Sequence, residues 1–110
     1  MSLTAIVRTS TARVVPGRFP EFAAYILAAV QEFPTRHPGL LSHDVLLDQE
    51  NNELVYLSRW EDEQALIAFA GPGWRDGAVL LPGEDEYLLA PLTVRHYRSV
   101  PIPSVDETVP

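Results

Sequence analysis

A chain of 110 residues makes one domain, and 46% apolar against 21% charged residues is enough to build a core, which excludes wholesale disorder. The absence of cysteine excludes disulfides, thiolate catalysis and cysteine-based metal sites. Fifteen acidic residues face eight basic ones, all arginine, and the resulting charge of −7 has the wrong sign for nucleic acid or an anionic membrane surface.

No run of about 18 apolar residues is present to span a bilayer. The opening MSLTAIVRTS lacks the basic start and long apolar stretch of a secretory signal, so a cytoplasmic protein is expected.

Residues 4–15 are rich in β-branched types with polar residues at intervals, and read as a half-buried first strand that ends at Pro16-Gly17. The period then changes. Phe19, Phe22, Ile26, Val30 and Phe33 recur every three or four residues, which predicts an amphipathic helix over 18–33. Pro20 falls in its first turn, where a missing N–H does no harm, and Pro34 is read as its end. After the turn His37-Pro38-Gly39-Leu40, a second strand over 41–48 turns Leu41, His43, Val45 and Leu47 one way, with Ser42, Asp44, Leu46 and Asp48 behind. Glu50-Asn51-Asn52-Glu53 is a hairpin tip, since asparagine tolerates positive φ. The third strand, 54–60, alternates Leu54, Tyr56, Ser58 and Trp60 against Val55, Leu57 and Arg59. Asp62 is placed to cap a second helix over 63–70, with Leu66, Phe69 and Ala70 inward. Gly71-Pro72-Gly73 breaks it, and a further short helix is predicted over 74–81 before Pro82-Gly83. The last strand spans 92–100, and residues 101–110, with three prolines, read as an extended or disordered tail beyond a domain over 1–100.

The order β-α-β-β-α-β predicts a ferredoxin-like α+β fold, an antiparallel sheet with both helices on one face. Strands two and three carry apolar side chains on both faces, so the bare face calls for a second copy stacked sheet to sheet, a homodimer.

Pro38-Gly39-Leu40, Arg59-Trp60-Glu61-Asp62 leading into Gln64-Ala65-Leu66 and Phe69, then Trp74, then Val94-Arg95-His96-Tyr97 resemble, in order and spacing over residues 4–99, the antibiotic biosynthesis monooxygenase domain family. The resemblance implies a dimeric α/β barrel of two ferredoxin-like protomers, each with a pocket between sheet and helices. It also implies oxygenation of quinols or anthrone-type polyketides without metal, flavin or haem, so no cofactor is expected. Other relatives degrade haem, using a tryptophan and a histidine iron ligand after the third strand. Spacing from Trp60 puts Phe69 and Val79 at those positions, and valine cannot ligate iron.

The candidate sites follow. His96 is the candidate base on the last strand, with Ser10 and Tyr56 as hydrogen-bond donors to a developing oxyanion. The alternative for His96 is an ordinary sheet histidine satisfied by hydrogen bonding. Trp74, Phe69, Trp60 and Tyr25 are candidates to line a flat slot for a small apolar or aromatic molecule, though aromatics at such spacing are more often core. Trp74 follows a Gly-Pro-Gly break, where a loop could open over a pocket. Arg8 and Arg59 sit on strands that floor either the cavity or the dimer seam, and an inward arginine needs a carboxylate or an anionic ligand. Glu84-Asp85-Glu86 reads as a solvated surface run. No two histidines show metal-ligand spacing, and no phosphate loop is present. Two functions remain in view: a cofactor-independent monooxygenase, in which a quinol or anthrone loses a proton in a dry pocket and passes an electron to O₂, and a non-catalytic binding or accessory dimer of the same fold.

Overall fold

The computed structural model describes residues 5–103. Its elements run β1 (Ala5–Arg13), α1 (Phe19–Val30), the single turn α2 (Phe33–Arg36), β2 (Leu40–Asp48), β3 (Glu53–Trp60), α3 (Glu63–Ala70), a 3₁₀ turn (Glu84–Tyr87) and β4 (Thr93–Ser99). The four strands form one sheet in the order β2-β3-β1-β4, with every neighbouring pair antiparallel. This is the ferredoxin-like α+β arrangement that the element order predicts. Residues 104–110 of the expected tail lie outside the described residues, and Pro101–Pro103 have no regular structure.

The two-residue period of the strands separates the sheet's faces. Register pairs Ile6 with Trp60, Arg8 with Ser58, Ser10 with Tyr56 and Ala12 with Leu54, so these eight side chains share one face. Against it α1 lays Phe19, Phe22, Ala23, Ile26 and Val30, all buried. Removing each large apolar side chain from water contributes roughly 1.5–3 kcal/mol, so this single stripe is the main weld between helix and sheet. The opposite face carries Val7, Thr9, Val55 and Leu57, half-buried, with Leu46 and Tyr97 exposed. Arg59 is on that side too, donating from Nη1 to the Ser99 hydroxyl.

Local chemistry sets the element ends. Asp62 Oδ1 accepts from the Ala65 amide at 2.8 Å and caps α3. Asn52 takes φ 51° at the hairpin tip. Gly39 is required for a different reason: a Cβ there would lie 2.4 Å from the Cβ of Ala65, so the strand entry and α3 touch backbone to side chain.

Three sequence expectations need correction. The apolar stripe from Phe19 to Phe33 is buried throughout, but the helix is not continuous. It ends at Val30, and Pro34 lies in the first turn of α2. Within one longer helix the Pro34 ring would meet the Val30 carbonyl, so the break falls before the proline. On β2, Leu40 enters the core and Leu41 is 55% exposed, because a bulge between Leu40 and Ser42 absorbs one residue before the alternation of His43, Val45 and Leu47 begins. Residues 74–81 form no helix but turns and irregular chain. Gly73 and Gly77 weaken helix there by about 1 kcal/mol each. The Trp74 and Gly77 carbonyls accept from Arg8 instead of from later amides, and the Leu81 amide donates to Glu84.

Candidate active site

Beneath α1, the helix-facing side of the sheet leaves a cavity of about 40 Å³. Its floor is Arg8, Ser10 and Ala12 of β1 with Leu54 and Tyr56 of β3. Ile26 and Val30 roof it, Phe33 and Phe69 close one end, and Val79, Leu81, Glu84 and Leu92 of the irregular segment form the remaining wall. Four of these side chains are polar: Arg8, Ser10, Tyr56 and Glu84. Leu92 also borders a wider outer groove of about 570 Å³ that runs past Asp76, Leu80, Asp85 and Leu89. One side chain therefore belongs to both the inner chamber and the open groove.

Arg8 is the unusual member. It is 3% exposed and forms no ion pair with a carboxylate among the described residues. Its Nη1 donates to the Trp74 carbonyl at 2.8 Å and to His96 Nε2 at 2.9 Å, and its Nη2 donates to the Gly77 carbonyl at 3.0 Å. Desolvation draws its pKa down, yet a guanidinium remains charged at any ordinary pH. A buried cation held only by neutral acceptors keeps most of its charge uncompensated.

Glu84 is 5% exposed. The backbone explains why a residue in an acidic run turns inward. Gly83 takes φ 79°, the chain enters the 3₁₀ turn, and Oε1 of Glu84 accepts from the Leu81 amide at 2.9 Å. Burial pushes its carboxyl above the usual range, against the Leu81 hydrogen bond, and Asp85 adds to the rise. Asp85 and Glu86 are exposed, so the reading of a solvated run holds for them and fails for Glu84.

The structure brings Ser10 and Tyr56 together as cross-strand partners at the cavity floor. Burial pushes the Tyr56 phenol far above its normal pKa, which keeps it protonated, and its hydroxyl lies 2.8 Å from His43 Nδ1. His96 is elsewhere. It pairs with Arg8 across the β1–β4 ladder and borders a shallow surface hollow with Trp74, Arg75 and Arg98. Because its Nε2 accepts from Arg8, the imidazole is neutral with its proton on Nδ1, and burial, Arg8 and Arg75 all lower its pKa. Its one free lone pair is thus already in use.

The aromatics also divide. Phe69 lines the cavity and stacks on Trp60 at 4.9 Å between ring centres, with Phe33 at 5.3 Å. Trp60 is fully buried behind it, its indole N–H donating to Ser58 Oγ at 2.9 Å. Trp74 is buried outside the cavity, edge-on to His96 at 4.8 Å and under the Arg75 guanidinium. Its part is the backbone carbonyl that holds Arg8. Tyr25 stacks on Tyr87 and donates its hydroxyl to the Pro82 carbonyl, tying the irregular segment to α1. Phe69 and Val79, assigned by spacing to the haem positions, both line the cavity and neither offers iron a ligand. Among the described residues no three His, Asp or Glu side chains cluster as metal ligands, and no helix is long and apolar enough to cross a membrane.

Fold and chamber together define a ferredoxin-like α+β protein with a small, mostly apolar site between its sheet and helices. The sequence model of the antibiotic biosynthesis monooxygenase family matches residues 5–73, and the chain belongs to that family. A monooxygenase-like role comes with it. Solved structures agree on the fold. A conserved protein from Methanosarcina mazei Go1 is 21% identical with a TM-score of 0.70, over 89% of this chain and 95% of its own. A monooxygenase from the ActVA-Orf6 gene of Streptomyces coelicolor, in complex with nanaomycin D, is 22% identical with a TM-score of 0.63, over 92% and 94%. A protein of unknown function from Nitrosomonas europaea is 15% identical with a TM-score of 0.70, over 93% and 97%. No curated protein sequence matches the chain.

Proposed function

We propose that the protein is a cofactor-independent monooxygenase acting on a small aromatic quinol or anthrone, working as a homodimer. The observation that carries this reading is the chamber itself: apolar walls with only Arg8, Ser10, Tyr56 and Glu84 as polar side chains. Such a site suits a substrate that is flat, apolar and oxygenated at its edges. For an anthrone the overall reaction is the methylene plus O₂ giving the ketone plus water. Substrate loses a proton, its anion passes one electron to O₂, and the radical pair recombines. The protein's share is to exclude water, accept the proton and stabilise the oxyanion.

A chamber of about 40 Å³ holds a few waters at most, whereas pockets for drug-sized molecules run to about 300–1,000 Å³. Entry therefore requires the Val79–Leu92 wall to move outward, joining chamber and outer groove past Leu92. The same small volume favours the second reading, a non-catalytic accessory dimer with a closed core. Oxygen uptake separates the two. Metal-stripped protein is incubated with a panel of quinols and anthrones, and uptake above the buffer rate is the expected result. None across the panel sinks the oxygenase reading.

Family folds of this type are generally dimeric, and the apolar sheet face opposite the chamber, with Val7, Val55, Leu57 and Leu46, is the surface offered to the second copy.

A further inference from the structure

Two ionisable side chains more than nine-tenths buried face one cavity from different parts of the chain. Arg8 stands on the central strand β1, and Glu84 is carried by the 3₁₀ turn of the opposite wall. They form no ion pair with each other. This is the costly arrangement: a buried guanidinium and a buried carboxyl border one chamber, neither neutralising the other by contact. Each is fixed instead by neutral hydrogen-bond partners. Three acceptors hold the guanidinium, and the Leu81 amide holds Oε1 of the carboxyl. Both border the one chamber, and the outward movement of the Val79–Leu92 wall that admits a substrate opens the space between them.

We propose that Arg8 and Glu84 are the catalytic pair of this chamber, Glu84 taking a proton from a carbon acid whose conjugate base is an aryl oxyanion, and Arg8 holding that oxyanion. In the anthrone of the proposed reading, the acidic methylene lies across the ring from the carbonyl. The step balances without an oxidant. The C–H bond breaks, the proton moves to the Glu84 carboxylate, and the electron pair delocalises through the ring to the oxygen facing Arg8. The anion so formed is the electron-rich species that O₂ then oxidises, so the inference rests on the proposed oxygenase reading for its purpose but not for its chemistry. Ser10 and Tyr56 are the neutral polar side chains of the floor, the Tyr56 hydroxyl already hydrogen-bonded with His43. Trp74 and Gly77, through their carbonyls, are positioning residues for Arg8.

The test is proton exchange without oxygen. Anthrone in D₂O under argon is followed by NMR for loss of its methylene protons, with and without protein. Wild-type protein should speed exchange well above the buffer rate. Glu84→Gln, which keeps the shape and the acceptor for the Leu81 amide, should lose roughly 10²–10⁴-fold, the usual worth of a positioned base. Glu84→Asp should recover part of it. Arg8→Met should lose roughly 10²–10³-fold, as removal of an oxyanion donor does, while Arg8→Lys retains part. Glu86→Gln, on the exposed side of the same turn, should match wild type. Circular dichroism and thermal melts establish that each variant is folded. Exchange by wild type at the buffer rate, or Glu84→Gln exchanging as fast as wild type, overturns the proposal. Oxygen uptake, measured separately, tells the two readings apart. Exchange without uptake retains the pair and removes the oxygenase, whereas uptake that survives Glu84→Gln retains the oxygenase and removes the pair.

Discussion

Gly39→Ala is a perturbation whose cost the structure allows to be worked out. The added methyl would stand 2.4 Å from the Cβ of Ala65. Carbon atoms pack at about 3.5–4.0 Å, so strand entry and α3 must part by about 1–1.5 Å. Neither side yields easily. The Glu61 amide donates to the Gly39 carbonyl at 2.9 Å, and α3 starts at the Asp62 cap just beyond. Overpacking of this kind costs about 1–3 kcal/mol, and at about 4–8 °C per kcal/mol for a domain of this size the melting temperature falls clearly. A second substitution isolates the cause. Ala65→Gly removes the partner atom and alone costs about 1 kcal/mol in helix propensity. In the double variant the overlap is gone, so the total should approach that of Ala65→Gly alone, a coupling of about 1–3 kcal/mol in a double-mutant cycle. Urea denaturation of the four proteins measures it. Simple additivity would refute the steric argument and leave Gly39 as a loop residue of no special importance.

Asp62→Ala removes the side-chain acceptor of the Ala65 amide and should lower stability by about 1 kcal/mol, read as a shift in the urea midpoint at unchanged slope. His96 and His37 both have folded-state pKa values below the unfolded one, through burial first and then through neighbouring arginines. Their contribution is fully present above about pH 6.5 and is lost as pH falls through the folded values, so the urea midpoint should drop from pH 7 to 5 and His96→Gln should flatten part of that slope. Leu57→Asp, on the sheet face away from the chamber, should convert the species seen by light scattering from twice the protomer mass to one protomer; a wild-type protein that already runs as a single protomer removes the dimer proposal.

Where side chains alternate in hydrophobicity at a fixed period, the amino-acid order was sufficient. The stripe of Phe19, Phe22, Ile26 and Val30, the alternation of Leu54, Tyr56, Ser58 and Trp60, the positive φ at Asn52 and the cap at Asp62 are local facts, each settled within a few residues. The candidate site was legible only in part. Ser10, Tyr56 and Phe69 reach the chamber because strand parity and helix phase carried them there. Arg8 and Arg59 could not be told apart from sequence, because the polar residues along β1 leave its parity unmarked, and only the register with β3 separates them. Residues 71–92 have no period at all. Their path is dictated by contacts 66 and 69 residues distant, the Trp74 and Gly77 carbonyls on Arg8, and Glu84 follows from that path. Glu84 could have been suspected from one local signal, the Gly83 before it, which supplies the left-handed turn that swings the next side chain inward.

Stability and chemistry pull in opposite directions at Glu84, and that conflict can be measured. Its folded-state pKa is raised, so the carboxyl favours the folded state while protonated and opposes it once ionised. The contribution is present below about pH 4.3 and is lost as pH rises through the folded value. Wherever the carboxyl is ionised, the native protein carries a buried charge that it would be more stable without. Glu84→Gln keeps the volume and the acceptor for the Leu81 amide and removes only the charge. Its urea midpoint should exceed that of wild type at pH 7, and the gap should close as pH falls toward 4. A surface carboxylate gives no such gap, and Glu86→Gln supplies that control. If the two midpoints coincide at every pH, Glu84 is solvated in solution and the chamber has no resident base. If they diverge as described, the fold is holding an ionisable group where packing alone would have placed an apolar one, which is the signature of a residue kept for what it does.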